Sequence, residues 1–306
     1  LIKAVHDAKA PGAVAYVGTP DATLYHGAVG YRCLEPGTET VTQDTLYDLA
    51  SLTKVIATTT AVMRLRDQGR LDLDQSVAEL LPAPEFRVLT PRHLLTHTAG
   101  LPAYEAFYRD VTSVDDTIAR IAALPLAWPP GTRRRYSDLG FVILGKIVEV
   151  LSGDRLDVFC RREIFAPLGM ASTTFNPPPA QRAQCAATER CVWRRRLMRG
   201  EVHDENAYAM GGVSGHAGLF STAEDLARFC RALLGARALP EATRRDMTHL
   251  AQVPQYPWQG LGWKLDPWMS GAEGFLPARS AFGHTGWTGT SIWIDPEKPL
   301  FAILLS

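Results

Sequence analysis

A serine and a lysine stand three positions apart in Ser51-Leu52-Thr53-Lys54, the only S-x-x-K sequence in the chain. Apolar or small residues recur after Ser51 at helical spacing, which predicts a helix that ends near Gly69. In a helix, the lysine side chain would return to the side of the serine. A serine hydroxyl needs a base to become nucleophilic, and a lysine whose pKa is lowered by burial can act as one. The pair is therefore a candidate catalytic pair, although a capping serine and a solvent-directed lysine give the same spacing.

Two further polar triplets follow in order along the chain. Tyr136-Ser137-Asp138 opens a segment that is apolar on most sides up to Leu151, and this pattern predicts a buried helix. His284-Thr285-Gly286 precedes a segment of strand-forming residues, Thr290 to Ile294. A phenol and an imidazole are both able to move protons or to bind substrate oxygen atoms. The three stretches together describe an acyl-transfer site if the fold brings them into one pocket.

With S-x-x-K, Y-S-x and H-T-G in this order, the chain resembles the serine β-lactamase and penicillin-binding-protein superfamily, in its class C-like and esterase branch. The resemblance begins at Pro11-Gly12-Ala13-Val14, continues through residues 92–102 and reaches Phe301, so it covers nearly the whole chain. Each triplet alone has low specificity. Their combination is specific.

The resemblance implies an α+β fold, with a mainly antiparallel β-sheet flanked by helices and with a helical subdomain. Strand-like patterns at both ends of the chain and helical patterns between them agree with one sheet built from the two termini. We expect residues 1–306 to form a single catalytic domain. Within it, residues 1–70 and 221–306 would form the sheet region, and residues 71–220 would be mostly helical.

The resemblance also implies a role for each matching residue. Ser51 would attack a carbonyl group and form an acyl-enzyme, and Lys54 and Tyr136 would share the proton transfers. The backbone N–H groups of Ser51 and Trp287 would form an oxyanion hole. His284 replaces the lysine that penicillin-binding enzymes usually carry and would hold Tyr136 or bind a substrate oxygen. The expected substrate-binding residues are Asp138, Thr285, Gly286, Trp287 and His216.

Asp138 departs from the family pattern, because β-lactamases usually have asparagine at this position. An asparagine amide can donate a hydrogen bond to a substrate carbonyl, whereas an ionised aspartate can only accept one. We expect Asp138 to pair with Lys54 or to bind a substrate N–H group. A pairing would keep Lys54 charged and would make Tyr136 the better general base. This departure favours an esterase, peptidase or amidase over an efficient β-lactamase.

A second polar segment runs from His203 to Asn206 and is followed by a glycine-rich stretch that contains His216. Three interpretations remain open. His203, Asp204 and His216 could be metal ligands, although their spacing matches no standard zinc pattern. The glycines could permit a tight structural loop. The segment also resembles a subgroup that includes N-acetylmuramoyl-L-alanine amidases, and the loop would then line the substrate pocket.

The amino-acid composition limits which binding partners and which cellular compartment we expect. The chain has 306 residues with 32 basic and 32 acidic side chains, so no net field attracts nucleic acid. No apolar run is long enough to span a membrane. The five cysteines are odd in number and lack C-x-x-C spacing, which favours free thiols and a reducing, cytoplasmic compartment. An exported form remains compatible with the sequence if a signal peptide was removed.

The sequence therefore predicts a serine hydrolase that forms a Ser51 acyl-enzyme and needs no cofactor or metal. Its substrate would be a small ester or amide, and a peptidoglycan fragment is one candidate. A β-lactamase or a D-alanyl carboxypeptidase is the first alternative. A penicillin-binding sensor that is acylated without turnover is the second, and a metallohydrolase built on His203 and His216 is the third.

Overall fold

A six-stranded antiparallel sheet forms the base of the molecule, with strand order β3-β2-β1-β11-β10-β9. The computed structural model describes residues 2–7, 10–235, 237–248, 258–265 and 281–306. The strands are β1 Gly12–Gly18, β2 Thr23–Cys33, β3 Glu39–Thr40, β4 Tyr47–Asp48, β5 Thr174–Phe175, β6 Ala187–Cys191, β7 Arg196–Arg199, β8 Leu219–Ser221, β9 Phe282–Thr285, β10 Ser291–Asp295 and β11 Leu300–Leu305.

The two ends of the chain meet in the middle of this sheet. Val14 of β1 lies opposite Leu305 of β11, and on its other side it lies opposite Ala28 of β2. Ile292 of β10 lies opposite His284, so the H-T-G triplet is carried by the edge strand β9. The expected α+β fold, with an antiparallel sheet formed by the terminal segments, is confirmed.

Helices cover the sheet and build the part of the molecule that faces it. They are α1 Ile2–His6, α2 Thr60–Asp67, α3 Pro91–Leu95, α4 Val114–Ala122, α5 Asp138–Ser152, α6 Leu156–Cys160, α7 Pro179–Arg182, α8 Glu205–Ala209, α9 Ala223–Leu234 and α10 Glu241–Thr248. Shorter 3₁₀ segments lie at Ala50–Leu52, Val77–Glu79, Pro84–Val88 and Phe107–Arg109, and π-helical turns lie at Lys54–Thr59 and Arg161–Phe165.

The spacing of apolar residues after Ser51 predicts one regular α-helix. The structure instead shows an irregular start to this helix. It starts as the 3₁₀ turn Ala50–Leu52, widens into the π-helical turn Lys54–Thr59 and becomes α-helical only in α2. The hydroxyl of Thr60 donates to the carbonyl of Val55, five residues earlier, at 3.0 Å. A threonine hydroxyl that competes for a backbone carbonyl in this way locally distorts helical hydrogen bonding.

Helix α5 is the buried helix expected from the apolar run after Asp138. Nine of its residues are buried, and Gly153 ends it in the left-handed conformation with φ of 79°. The residues from Gly260 to Leu265 have a strand-like sequence pattern that predicts a strand, and this prediction is wrong, since Lys264 makes only isolated bridges with Gln259 and Gly283. Gly262 has φ of 78° and interrupts the extended backbone that a strand needs.

A second, three-stranded sheet with order β4-β8-β5 joins the segment before Ser51 to the segment after His216. Strands β6 and β7 pair as a separate hairpin.

The proposed division of the chain at residues 70 and 221 stays a prediction. All five cysteines are buried free thiols. Within the described ranges, every helix is too short or too polar to span a bilayer.

Gly215 allows the loop that carries His216 to pack directly on helix α5. A Cβ atom at Gly215 would lie 2.0 Å from the carbonyl oxygen of Phe141, which belongs to rigid helical backbone. We expect Gly215→Ala to lower the free energy of unfolding by about 1–3 kcal/mol, because the loop must move away from the helix. Urea denaturation measures this change.

Gly37→Ala is the matched control, since a Cβ atom there would meet nothing within 4 Å. We expect its effect on stability to stay within about 0.5 kcal/mol. Equal effects of the two substitutions would contradict the close approach of loop and helix.

Candidate active site

The buried amine of Lys54 is the centre of the site. Its Nζ donates to Ser51 Oγ at 2.8 Å and to the backbone carbonyl of His216 at 3.0 Å. It also forms an ion pair with Asp138 at 2.8 Å. Lys54 is fully buried, and these contacts come from three separate stretches of chain. The structure therefore brings the first two sequence motifs and the glycine-rich loop to one atom.

The pKa of Lys54 is raised, which differs from the lowered value that a lysine base would require. Burial alone would lower it, but the charge of Asp138 and the interaction with Tyr136 outweigh this effect and raise the pKa above its ordinary value. Lys54 is therefore an ammonium group at neutral pH. It can orient the Ser51 hydroxyl and stabilise a neighbouring anion, but it cannot accept a proton.

The phenol of Tyr136 lies between Lys54 and two buried imidazoles. Lys54 Nζ is 5.1 Å from the centre of the Tyr136 ring. The ring of His97 lies 4.5 Å from the phenol ring, centre to centre, and the ring of His284 lies 5.9 Å away. Half-buried Tyr136 is thus packed against the tilted rings of two histidines.

Both histidines beside Tyr136 are neutral. Burial, and then the positive charges nearby, lower the pKa of His97 and of His284 well below the ordinary imidazole value. Nδ1 of His284 contacts the carbonyl oxygen of Thr285 at 2.8 Å. Its buried Nε2 has no hydrogen-bond partner among the described residues, so the expected bond from His284 to Tyr136 is not present. His284 therefore contributes a neutral ring to the site and no positive charge.

The backbone just before Ser51 is strained. Ala50 has φ of 44°, in the left-handed region that residues with a Cβ atom rarely adopt. Its N–H donates to Asp48 Oδ1 at 2.8 Å, and the other oxygen of the same carboxylate accepts from His203 N at 2.6 Å. Burial raises the pKa of Asp48, and the two N–H donors oppose this. Asp48 thereby ties the turn that presents Ser51 to the loop on the other side of the cleft.

The edge strand β9 approaches the same turn from the other side. A Cβ atom at Gly286 would lie 2.5 Å from the carbonyl oxygen of Leu49, so only glycine permits this approach. The hydroxyl of Thr290 donates to that same carbonyl at 3.0 Å. Trp287 follows Gly286 and lies with Ser51 in the wall of one cleft. The structure thus brings to one cleft the two residues whose N–H groups are expected to form an oxyanion hole.

The side chain of His216, expected to bind substrate, is engaged within the protein. Its Nε2 lies 2.8 Å from Asp204 Oδ1, and its Nδ1 lies 2.8 Å from the hydroxyl of Ser214. Burial would raise the pKa of Asp204, but the charge and hydrogen bond of His216 hold it below the ordinary value. Ionised Asp204 therefore accepts from His216. These contacts fix the backbone carbonyl of His216, which in turn accepts from Lys54.

The metal interpretation of this segment finds no support in the described ranges, where no three histidine, cysteine or carboxylate side chains are placed as ligands. His203 Nε2 instead contacts Glu189 Oε1 at 2.8 Å. Asn206 holds two backbone groups of the loop 105–108, accepting from Tyr108 N and donating to the Glu105 carbonyl, each at 2.8 Å. The segment is a structural part of the cleft wall.

A cleft of about 500 Å³ opens over Ser51. Its lining includes the predicted residues Tyr136, Asp138 and Trp287. Strand β6 and the segment after β7 add further polar residues, three of them acidic, and these are Glu189, His203, Asp204, Glu205 and His216. Trp287 is 81% exposed at the mouth of the cleft.

Sequence reasoning missed two residues that organise the site. Asp48 is a buried carboxyl group within the apolar stretch Leu46 to Ala50, and the need of such a group for a specific partner is the signal that could have identified it. His97 is buried and follows shortly after helix α3. Its backbone has φ of 58°, and its Nδ1 accepts from Ser137 N at 3.2 Å, which places its ring against Tyr136. No spacing in the sequence reveals the contact between His97 and Tyr136.

The whole chain, residues 1–306, matches the family described as Beta-lactamase. An N-acetylmuramyl-L-alanine amidase of Bacillus subtilis (strain 168) is 35% identical over 344 aligned positions, which cover 97% of this chain and 77% of the relative. Among solved structures, the octameric penicillin-binding protein homologue from Pyrococcus abyssi superposes with a TM-score of 0.80 at 25% identity, covering 100% of this chain and 71% of that one. A class C beta lactamase from Rhodobacter sphaeroides gives a TM-score of 0.78 at 23% identity, covering 99% and 91%, and supports the fold alone.

Asp48 offers a test of how the turn before Ser51 is held. Asp48→Ala leaves the N–H groups of Ala50 and His203 without their acceptor, so we expect the free energy of unfolding to fall by about 1–3 kcal/mol. We also expect kcat on a small ester to fall roughly 10- to 100-fold at a temperature where the variant is fully folded, because the Ser51 hydroxyl is displaced.

Asp225→Ala is the control for this substitution. Asp225 is equally buried and accepts from Ser172 N at 2.7 Å, and its packing lies outside the residues that line the cleft. We expect a comparable loss of stability with kcat per folded molecule unchanged. If both variants retain full kcat, Asp48 does not position Ser51.

Proposed function

Because this chain belongs to the beta-lactamase family and is a serine hydrolase, we propose that it cleaves amide bonds of peptidoglycan fragments through an acyl-enzyme on Ser51. The observation that carries the proposal is the ammonium of Lys54, which lies 2.8 Å from both Ser51 Oγ and Asp138 Oδ1. The substrate class is supported by the name of the Bacillus subtilis relative.

In the proposed acylation, Tyr136 acts as general base in its phenolate form, which the Lys54 ammonium stabilises. The Ser51 oxygen attacks the substrate carbonyl while its proton passes to the phenolate of Tyr136. The N–H groups of Ser51 and Trp287 bind the resulting oxyanion. When the carbon–nitrogen bond breaks, Tyr136 gives the proton to the leaving amine, and an ester remains on Ser51.

Deacylation repeats the same transfers with water. The oxygen of a water molecule attacks the ester carbonyl while the water gives a proton to Tyr136. The resulting oxyanion again lies at the N–H groups of Ser51 and Trp287. The ester bond to Ser51 then breaks, and the serine oxygen takes the proton back from Tyr136. Lys54 keeps its charge throughout and needs no change of protonation state.

The neutral histidines support Tyr136 as the residue that exchanges protons. Neither His97 nor His284 carries a positive charge that would compete with Lys54 for the phenolate. Buried aromatic rings also exclude water from that side of the phenol, which strengthens its interaction with the ammonium. The proton transfers are therefore confined to the side that faces the cleft.

Asp138 distinguishes the proposed activity from efficient β-lactam hydrolysis. Its carboxylate, bonded to Lys54, is an acceptor at the position where an amide donor would bind a substrate carbonyl. A substrate with an N–H group near the scissile bond, such as a peptide amide, fits an acceptor better. A β-lactam without a donor there fits it poorly.

One panel tests this function directly: turnover of p-nitrophenyl acetate, an N-acetylmuramoyl-L-alanine peptide and nitrocefin by the wild type and by Ser51→Ala. We expect the wild type to cleave the ester and the muramoyl peptide and to hydrolyse nitrocefin poorly. Ser51→Ala should lose at least about 10³-fold of each activity, because the nucleophile is removed. Intact-mass measurement should detect an acyl adduct on the wild type only.

The other outcomes of this panel are also informative. Stoichiometric labelling without turnover would favour the penicillin-binding sensor. Fast nitrocefin hydrolysis would contradict the interpretation of Asp138. Activity that survives Ser51→Ala and is lost with a chelator would favour a metallohydrolase.

The charge of Lys54 predicts a pH dependence. Because Asp138 raises the pKa of Lys54, the wild type should keep the ammonium, and its activity, up to a pH above the ordinary lysine value of about 10.4. In Asp138→Asn the opposing charge is removed, the pKa falls, and burial lowers it further. We expect the alkaline decline in kcat/KM to move down by roughly 1–3 pH units.

Asp115→Asn is the control for the pH profile. Asp115 is exposed and forms an ion pair with Lys146 at 2.6 Å, and neither residue lines the cleft, so its loss should leave the profile unchanged. An alkaline limb that stays in place in Asp138→Asn would show that loss of the Lys54 charge does not set the alkaline decline in activity.

A further inference from the structure

Helix α3 is followed by a histidine at a position where glycine is the usual residue. His97 N donates to the carbonyl of Leu94 at 3.2 Å, and Thr98 N donates to the carbonyl of His93 at 2.8 Å. These two bonds form a Schellman motif, and His97 occupies its left-handed position with φ of 58°. Glycine adopts this conformation without strain, whereas a Cβ atom disfavours it. A histidine at this position therefore needs a reason outside the end of the helix.

His97 contacts three consecutive residues, with Tyr136 in the middle. Its carbonyl accepts from Arg135 N at 2.9 Å, and its Nδ1 accepts from Ser137 N at 3.2 Å. Its ring packs on the phenol ring of Tyr136, with 4.5 Å between the ring centres, and on Phe141 of helix α5 at 5.2 Å. One residue thus fixes the backbone on both sides of Tyr136 and also packs against its side chain.

The hydrogen bond from Ser137 defines which nitrogen of His97 carries the hydrogen. A backbone N–H group can only donate, so Nδ1 of His97 is unprotonated. Burial holds the pKa of His97 well below its ordinary value, so the ring is neutral and its hydrogen lies on Nε2. The assignment is reversed in His284, whose Nδ1 lies 2.8 Å from a carbonyl oxygen, which can only accept. The two histidines beside Tyr136 are therefore opposite tautomers.

His97 has no direct access to a substrate. It is 2% exposed and is absent from the residues that line the cleft over Ser51. Its buried Nε2 has no hydrogen-bond partner among the residues that the structure describes. Any effect of His97 on the reaction must therefore pass through Tyr136.

We propose that His97 is a positioning residue, which holds the phenol of Tyr136 beside the ammonium of Lys54. This inference rests on the proposed function, in which Tyr136 exchanges protons with Ser51 and with water. Such transfers require the phenol oxygen to stay within hydrogen-bonding distance of the reacting groups. The strain at position 97 is then explained, because glycine would complete the helix end and leave Tyr136 without this support.

Two substitutions separate this role from the structure of the helix end. His97→Gly relieves the backbone strain but removes the ring and the acceptor for Ser137 N. His97→Asn suits the left-handed backbone and keeps a side-chain acceptor. With p-nitrophenyl acetate, we expect kcat per folded molecule to fall roughly 10- to 100-fold in His97→Gly and less than about 10-fold in His97→Asn. KM should change by less than about 3-fold in both, because His97 does not touch the substrate.

His93→Ala is the matched control. His93 belongs to helix α3, and its Nδ1 likewise accepts from a backbone N–H group, that of Thr90, at 3.2 Å. The bond closes the capping box of the helix, and His93 is not among the residues that line the cleft. We expect this variant to lose stability and to keep kcat per folded molecule unchanged.

NMR of protein labelled with ¹⁵N in its histidines tests the tautomers without any measurement of activity. At pH 7, we expect the His97 ring to be neutral with its hydrogen on Nε2 and the His284 ring to be neutral with its hydrogen on Nδ1. The signals of His97 are identified by their loss in His97→Asn. This measurement on the wild type holds even if His97→Gly folds poorly.

The proposal would be overturned by wild-type kcat in His97→Gly, by a rise in KM without a fall in kcat, by equal losses in His97→Gly and His97→Asn, or by a His97 ring with its hydrogen on Nδ1. None of these results removes the proposed function, which is judged by Ser51→Ala and by cleavage of the muramoyl peptide. Conversely, ester turnover without cleavage of that peptide would contradict the proposed substrate and would leave the role of His97 to be decided by the ester.

Discussion

The site depends on one buried positive charge. An ammonium group without solvent is strongly unfavourable unless it is paired and hydrogen-bonded, so the fold must supply partners for Lys54. It supplies the Ser51 hydroxyl from the preceding turn of the same segment, Asp138 from the start of helix α5, and the His216 carbonyl from the glycine-rich loop. The hydrogen bonds and ion pair of this one cation thereby join three distant parts of the chain. Assembly of the cleft and stability of the protein are therefore coupled.

Asp138 sets the charge of the lysine at the centre of the site. An amide at this position would leave the Lys54 pKa subject to burial, which lowers it and favours a lysine base. The carboxylate reverses the balance and raises that pKa. In the proposed mechanism a lysine that stays charged leaves the role of general base to another group, and Tyr136 is the phenol beside it. Under that proposal, the acceptor at position 138 places the base on the phenol and not on the amine.

Much of the fold follows from the sequence, because its signals are local. The buried helix from Asp138, the cap of α9 by Thr222, and the hairpin of β1 and β2 agree with pattern and capping rules. The contact of Lys54 with Ser51 also follows from their spacing. The charge state of Lys54 follows only in part: the sequence left Asp138 to pair with Lys54 or with a substrate N–H group, and only the tertiary fold brings the carboxylate to the amine. For the same reason the sequence could not place His97 against Tyr136, or show that both nitrogens of His216 are already bonded.

The residues that line the cleft fall into two groups of different charge. Around Tyr136, the histidines are neutral and the Lys54 charge is balanced by Asp138. Strand β6 and the segment after β7 contribute the carboxylates of Glu189, Asp204 and Glu205. Asp204 is bonded to His216 and Glu189 contacts His203, so part of this negative charge is engaged within the protein. An anionic group on a ligand would still meet repulsion from these carboxylates, whereas N–H and hydroxyl groups can donate to them.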